Sequence, residues 1–217
     1  MLTKRESFSG YIASIIHLVF ACATSVTALS VVFSGIKPGN DFSPLLAVVL
    51  AITIPATLSM AFVAALLALK WSSNVYFQTA TLFYLIIGII TYYSTLTPIA
   101  AFLHPNSFGG AGSATRMIWA GIHELEYYLV VAIWIVTLSL TDRKNDLPKY
   151  AKIAAYLSGL NILCMITATL LWGHGTVYGI NILVMFILWP IFVTGIIVMM
   201  RRLHRNTAYD QLNTLSG

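Results

Sequence analysis

The chain has 217 residues, of which 59% are hydrophobic and only 9% charged, and its mean hydropathy is +0.85. A soluble domain must write a polar shell into its sequence, with about a quarter of its residues charged, so this composition excludes an ordinary globular fold and makes lipid the solvent of the middle of the chain. The net charge of +5 calls for no nucleic-acid partner, because the basic residues follow a membrane-topology pattern.

Six apolar stretches approach the ~20 residues that cross ~30 Å of hydrocarbon. They predict an all-α fold, a polytopic six-helix transmembrane bundle that forms one domain over residues 1–217. The first stretch, Tyr11–Phe33, follows Lys4 and Arg5. It is too long for a cleavable signal and no Ala-x-Ala-like site follows it. Its small and hydroxyl residues, Ala21, Ala23, Thr24, Ser25, Thr27, Ala28 and Ser30, predict a packing face. His17 in its inner half is expected to bond a neighbouring hydroxyl.

After the break Ile36–Ser43 comes Pro44–Leu69, interrupted by Pro55; after Lys70–Asn74 comes Tyr76–Phe102. The latter ends in a hydroxyl-rich run, Thr91 to Thr97, before Pro98. Those hydroxyls either bond the preceding turn's carbonyls or line a cavity. The fourth stretch is Met117–Leu140, the fifth Ile153–Trp172 and the sixth Tyr178–Met200, with Pro190 inside it. The cytoplasmic tail, residues 201–217, opens on Arg201, Arg202 and Arg205 as a topology anchor and is expected to fray. Cys22 and Cys164 fall inside apolar segments and form no Cys-x-x-Cys, so they read as buried apolar residues.

The basic residues set the orientation. Lys4, Arg5, Lys70, Arg143, Lys144, Lys149, Lys152, Arg201, Arg202 and Arg205 all fall on one side of a six-span chain, which leaves Lys37 and Arg116 on the other. Basic residues near short loops stay cytoplasmic, so both termini are predicted inside (N-in/C-in), in a multi-pass protein of the cell membrane.

The fourth segment carries the anomaly. Of seven acidic residues in the chain, Glu124 and Glu126 lie within this span beside His123. A charged group at the bilayer centre costs ~2.5 to ~17 kcal/mol, so such residues face a cavity or a partner. Counted from Met117 at 1.5 Å per residue, they lie ~9–14 Å below the outer edge, too deep for short carboxylates to reach water. With ~100° per residue, Arg116, Trp119, His123, Tyr127, Val130 and Trp134 form one stripe, and Glu124 and Glu126 flank it about 80° to either side. The pattern predicts a central fourth helix with a polar pocket opening outward.

The outer ends of other segments bring His104, Trp172, His174, Tyr178 and Asn181 to the same level. Arg116, His123, Glu124, Glu126, Tyr127 and His174 are therefore the candidate ion- or proton-binding residues. Within that set His123, Glu126 and His174 are the candidate metal ligands, and a divalent metal is the cofactor such donors suit. Read structurally instead, the two glutamates are neutral, hydrogen-bonded acids, which cost far less in lipid.

The stretch Phe108-Gly109-Gly110, with Ile118-Trp119-Ala120 and Glu124, resembles the loop and third helix of microbial rhodopsins, where an acid serves as counterion. Those proteins bind retinal through a lysine of a seventh helix. Here two predicted helices follow the fourth and neither contains a lysine, so no family is assigned.

The function expected from these features is a small transporter or channel-like protein for a cation or proton-coupled solute. One alternative is an intramembrane enzyme using the outer His/Glu cluster in acid/base, metal or haem chemistry. The other is a structural or assembly subunit of a membrane complex. The expected partners are the lipid bilayer and, within it, a second copy of the chain or other membrane subunits.

Overall fold

A threonine and a glutamate three residues apart start the first helix of the computed structural model, which describes residues 2–33, 44–88, 124–172 and 176–215. The Thr3 N–H donates to Glu6 Oε2 at 2.8 Å and the Glu6 N–H to Thr3 Oγ1 at 3.2 Å, so the two residues satisfy each other's orphan donors. Helix α1 consequently spans Lys4–Phe33 and begins well before Tyr11, where the apolar run alone would start it.

Helix α2, Pro44–Leu66, continues into a wide π turn, Leu67–Trp71, which ends at Ser72 in extended backbone. Helix α3, Val75–Gly88, is started by Asn74, whose Oδ1 accepts the N–H groups of Tyr76 at 2.9 Å and Phe77 at 3.2 Å. Gln78 Nε2 donates to the carbonyls of Ala68 and Ser72, each at 3.2 Å, and so ties α3 back to the π turn. The run from Thr91 to Pro98 lies outside the described residues.

Helices α4 (Glu124–Thr141), α5 (Lys149–Trp172) and α6 (Thr176–Leu215) complete the order. α6 corrects the sequence expectation of a frayed tail, because it stays helical through Arg201–Arg205 to Leu215. No Gly or Pro interrupts residues 201–215, and the extension is anchored where Ser7 Oγ meets His204 Nδ1 at 3.2 Å.

Among the described residues all regular structure is helical. α1 packs on α2 and α6, α5 packs on α6 and α4, and α3 closes onto α4 through Trp134. The Trp134 ring stacks on Tyr84 at 4.9 Å and meets Phe192 of α6 edge-on at 6.2 Å, while its Nε1–H donates to Thr81 Oγ1 at 3.1 Å. Phe77, Tyr84, Trp134 and Phe192 thus form a common aromatic core shared by three helices.

Three helical stretches, Lys4–Ala23, Lys149–Ala168 and Leu183–Thr207, are long and apolar enough to cross a membrane. Val19, Leu58, Leu82, Leu163 and Ile187 face outward, whereas the hydroxyls of Ser14, Thr81 and Ser158 are buried. Apolar rows outside and hydroxyls inside point to a membrane protein, because lipid solvates the former and interhelical packing uses the latter. Cys22 and Cys164 are free and exposed rather than buried as expected, a position compatible with an apolar solvent.

The α5–α6 contact depends on a missing side chain. A Cβ on Gly195 would collide with the Cβ of Ala151, whereas one on Gly88 would touch, among the described residues, only Thr57 Cγ2 at an ordinary 3.8 Å. Gly195→Val is therefore expected to destabilise the bundle by about 1–3 kcal/mol or more, as overpacking does. Gly88→Ala should be neutral or slightly stabilising, since it removes only a flexible helical glycine. Thermal unfolding of the detergent-purified variants distinguishes the two, and a Gly195→Val protein as stable as the parent would contradict the close approach.

Candidate functional site

His17 is the buried polar centre of the described bundle. Its Nδ1–H donates to the Ala56 carbonyl at 2.6 Å, and its Nε2 accepts the Trp189 Nε1–H at 2.8 Å. A carbonyl can only accept and an indole N–H can only donate, so the pairing fixes the neutral Nδ1–H tautomer. The two rings meet edge-on at 5.5 Å. The partners are thus a backbone carbonyl and an indole rather than the hydroxyl expected from the sequence, and they join α1 to α2 and α6. Both ring nitrogens of His17 are thus engaged within the bundle.

Both partners sit beside helix prolines, Ala56 after Pro55 and Trp189 before Pro190. A proline supplies no N–H to the helix ladder and marks where a helix bends. His17 therefore cross-links two helices next to their weakest ladder positions.

Of the residues singled out in the sequence, Arg116, His123 and His174 lie outside the described residues. Glu124, Glu126 and Tyr127 belong to the helical backbone of α4, but their side chains also lie outside the described set. His104 also lies outside the described residues, and of Trp172, in α5, and of Tyr178 and Asn181, in α6, the helical backbone is described but the side chains are not. Among the described residues no three His, Cys, Asp or Glu side chains group to hold a metal; the proposed trio His123, Glu126 and His174 is not among them.

What is described is the inner part of the same helix. Val131, Trp134, Ile135 and Leu138 are buried, with Trp134 fully so, whereas Ile133 is 48% and Leu140 67% exposed. Val130 and Thr137 are half-buried between these faces. At ~100° per residue, these positions give α4 a covered arc, a half-covered shoulder and an open side. Of the predicted stripe, the side chains of Val130 and Trp134 are described: Trp134 is buried at the edge of the covered arc and Val130 is half-buried on the shoulder.

A polar knot at the opposite end escaped the sequence analysis. Asp142, buried after the last turn of α4, accepts the N–H groups of Asp146 and Leu147, each at 3.0 Å, and pairs with Lys152 Nζ at 2.9 Å. Asn145 turns the chain in the left-handed region at φ 54°, a conformation asparagine tolerates, and its Oδ1 accepts a Lys152 N–H at 3.0 Å. Trp71 Nε1 donates to Asp146 Oδ2, and Arg202 Nη1 to the carbonyls of Asn145 and Asp146, all at 3.2 Å. Lys70 pairs with Glu6 at 3.7 Å. The ends of α1, α2 and α6 and the α4–α5 loop therefore meet at one end of the bundle. The available signal was Asp142 standing before the Asn145-Asp146-Leu147-Pro148 turn, a short side chain placed to bond nearby N–H groups.

Comparison with protein-family models, curated proteins and solved structures gives no match.

Proposed function

We propose that this chain is a six-span integral membrane protein, with both termini cytoplasmic, that moves a cation or a proton-coupled solute through an outward-opening pocket on α4. The observation that carries the reading is the pair of carboxyl groups, Glu124 and Glu126, next to His123 within an apolar span. Groups so costly to bury in hydrocarbon are retained where they bind or relay something. Arg116, Tyr127 and His174 complete the pocket as orienting groups, and His123, Glu126 and His174 are the donors a divalent ion would use.

Two features of the bundle support this reading. The covered face of α4 is the one that carries Trp134, the inner end of the stripe leading to His123 and Tyr127. Lys4, Lys70, Lys152 and Arg202 gather at one end of the bundle, as basic residues sharing one side of a bilayer do.

Function is tested by measuring proton and cation flux in liposomes for the parent chain and for Glu124→Gln and Glu126→Gln. Equal flux in all three would remove α4 from any transport role. Topology is tested separately, after Cys22 and Cys164 are replaced by serine. Lys144→Cys is expected to be shielded from impermeant thiol reagents in intact cells and Asn106→Cys to react; the reverse pattern would invert the orientation.

A further inference from the structure

The cations at the knotted end divide into two groups. Lys70 pairs with Glu6, Lys152 with the buried Asp142, and the Arg202 guanidinium caps two loop carbonyls. These three hold helix ends together. Lys4, Arg5, Arg143, Lys144, Lys149, Arg201 and Arg205 are exposed, and none has a carboxylate partner among the described residues. The carboxylates described at this end are already committed: Asp142 and Asp146 are buried in the knot and Glu6 holds Lys70.

Geometry concentrates the uncommitted charge. α6 continues as a helix past Met200, which holds Arg201 and Arg205 one turn apart on one face, about 40° from each other. Arg143 and Lys144 are exposed on the loop that Arg202 pins against α6, and Lys149 is exposed at the start of α5 just after it. Tyr76 at 77% exposure and Tyr150 at 43% flank the same end, the position tyrosines take at the edge of the hydrocarbon.

We infer that this end docks on anionic phospholipid headgroups through Arg201, Arg205, Lys149 and the loop cations, while Lys70, Lys152 and Arg202 serve the fold. A row of guanidinium and ammonium groups without a carboxylate partner among the described residues, just outside an apolar boundary, matches the phosphates of an anionic leaflet. The inference rests on the membrane reading above.

The test reconstitutes the protein in nanodiscs of equal phosphatidylglycerol and phosphatidylcholine, then extracts it and measures retained lipid by native mass spectrometry. The parent protein is expected to retain phosphatidylglycerol in preference, with the preference shrinking as salt rises. Each of Arg201→Gln, Arg205→Gln and Lys149→Gln should reduce it by up to about fivefold at low salt and leave the melting temperature in neutral detergent unchanged. Arg202→Gln should instead lower the melting temperature.

Equal retention of the two lipids by the parent, or full preference in the triple Gln variant, would overturn the inference while leaving the membrane reading intact. Displacement of the lipid by dilute soluble glycerol phosphate would also overturn it, because the site would then take free phosphate. A chain that stays dispersed without detergent or lipid would sink the membrane reading and this inference together.

Discussion

Asp142→Ala is expected to destabilise the protein by about 3 kcal/mol, near the lower end of what removing one partner of a buried ion pair costs. The carboxylate is fully buried and has three partners, the N–H groups of Asp146 and Leu147 and the Lys152 ammonium. Alanine strands both backbone donors without an acceptor, at ~1–3 kcal/mol each when no water reaches them. The loss is limited because Lys152 keeps the Asp142 carbonyl at 3.1 Å and Asn145 Oδ1 at 3.0 Å, and its side chain is 18% exposed.

Asp142→Asn should fall between alanine and the parent. The amide oxygen still accepts one N–H, but its NH₂ faces the remaining donors and the charge opposite Lys152 is lost. The effect should spread beyond the loop, since Asp146 and the Asn145 carbonyl hold Trp71 of the π turn and Arg202 of α6. Unfolding in mixed detergent, followed by tryptophan fluorescence, measures both variants. An alanine variant that melts with the parent would mean that water has replaced the carboxylate and that the knot contributes nothing to stability.

Glu126→Gln is expected to abolish pH-dependent flux with little change in melting temperature, and Glu124→Gln is expected to do the opposite. The reason is register. Glu124 stands seven residues before the buried Val131, so helical register aligns it with the covered arc described further along α4. Glu126 stands seven before Ile133 and falls, by helical angle, between it and the half-buried Thr137.

A proton carrier has to meet the path of its proton, so the half-covered shoulder suits that role and the sealed arc does not. Glu126 also lies one turn from His123 and next to Tyr127. The amide keeps volume and hydrogen bonding but cannot carry a proton at neutral pH. If the two variants exchange these effects, the roles of the acids exchange with them. If neither changes flux or bound metal, the structural-subunit reading takes precedence.

The class of protein is legible in the sequence because its solvent is written there. Without water, every backbone group in a span must be satisfied within the helix, so apolar stretches such as Pro44–Leu69 translate directly into helices. The fourth segment is helical wherever it is described, and its buried and exposed residues follow the ~100° turn, but the covered arc runs from Trp134 through Val131 and Ile135 rather than centring on the predicted stripe.

Element ends depend on local bonds that composition does not register. Thr3 with Glu6 moves the start of α1 to Lys4, and Asn74 starts α3. These caps are visible in the sequence as Thr-x-x-Glu and as an asparagine ahead of an apolar run, local signals to which hydropathy is blind.

Partner choice belongs to the tertiary structure. His17 is one histidine in an apolar helix, and nothing adjacent to it shows that its two nitrogens meet the Ala56 carbonyl and the Trp189 indole, 39 and 172 residues away. Asp142 and Arg202 are likewise ordinary charges in the sequence, and Arg202 is separated from its neighbour Arg201 only by what the packed helix ends place opposite it. Sequence determines the solvent each segment demands, because hydropathy is a local sum. Only the packed bundle decides which charges are satisfied within the protein and which are left for the surroundings, because a hydrogen bond depends on distances of about 3 Å that no local pattern encodes.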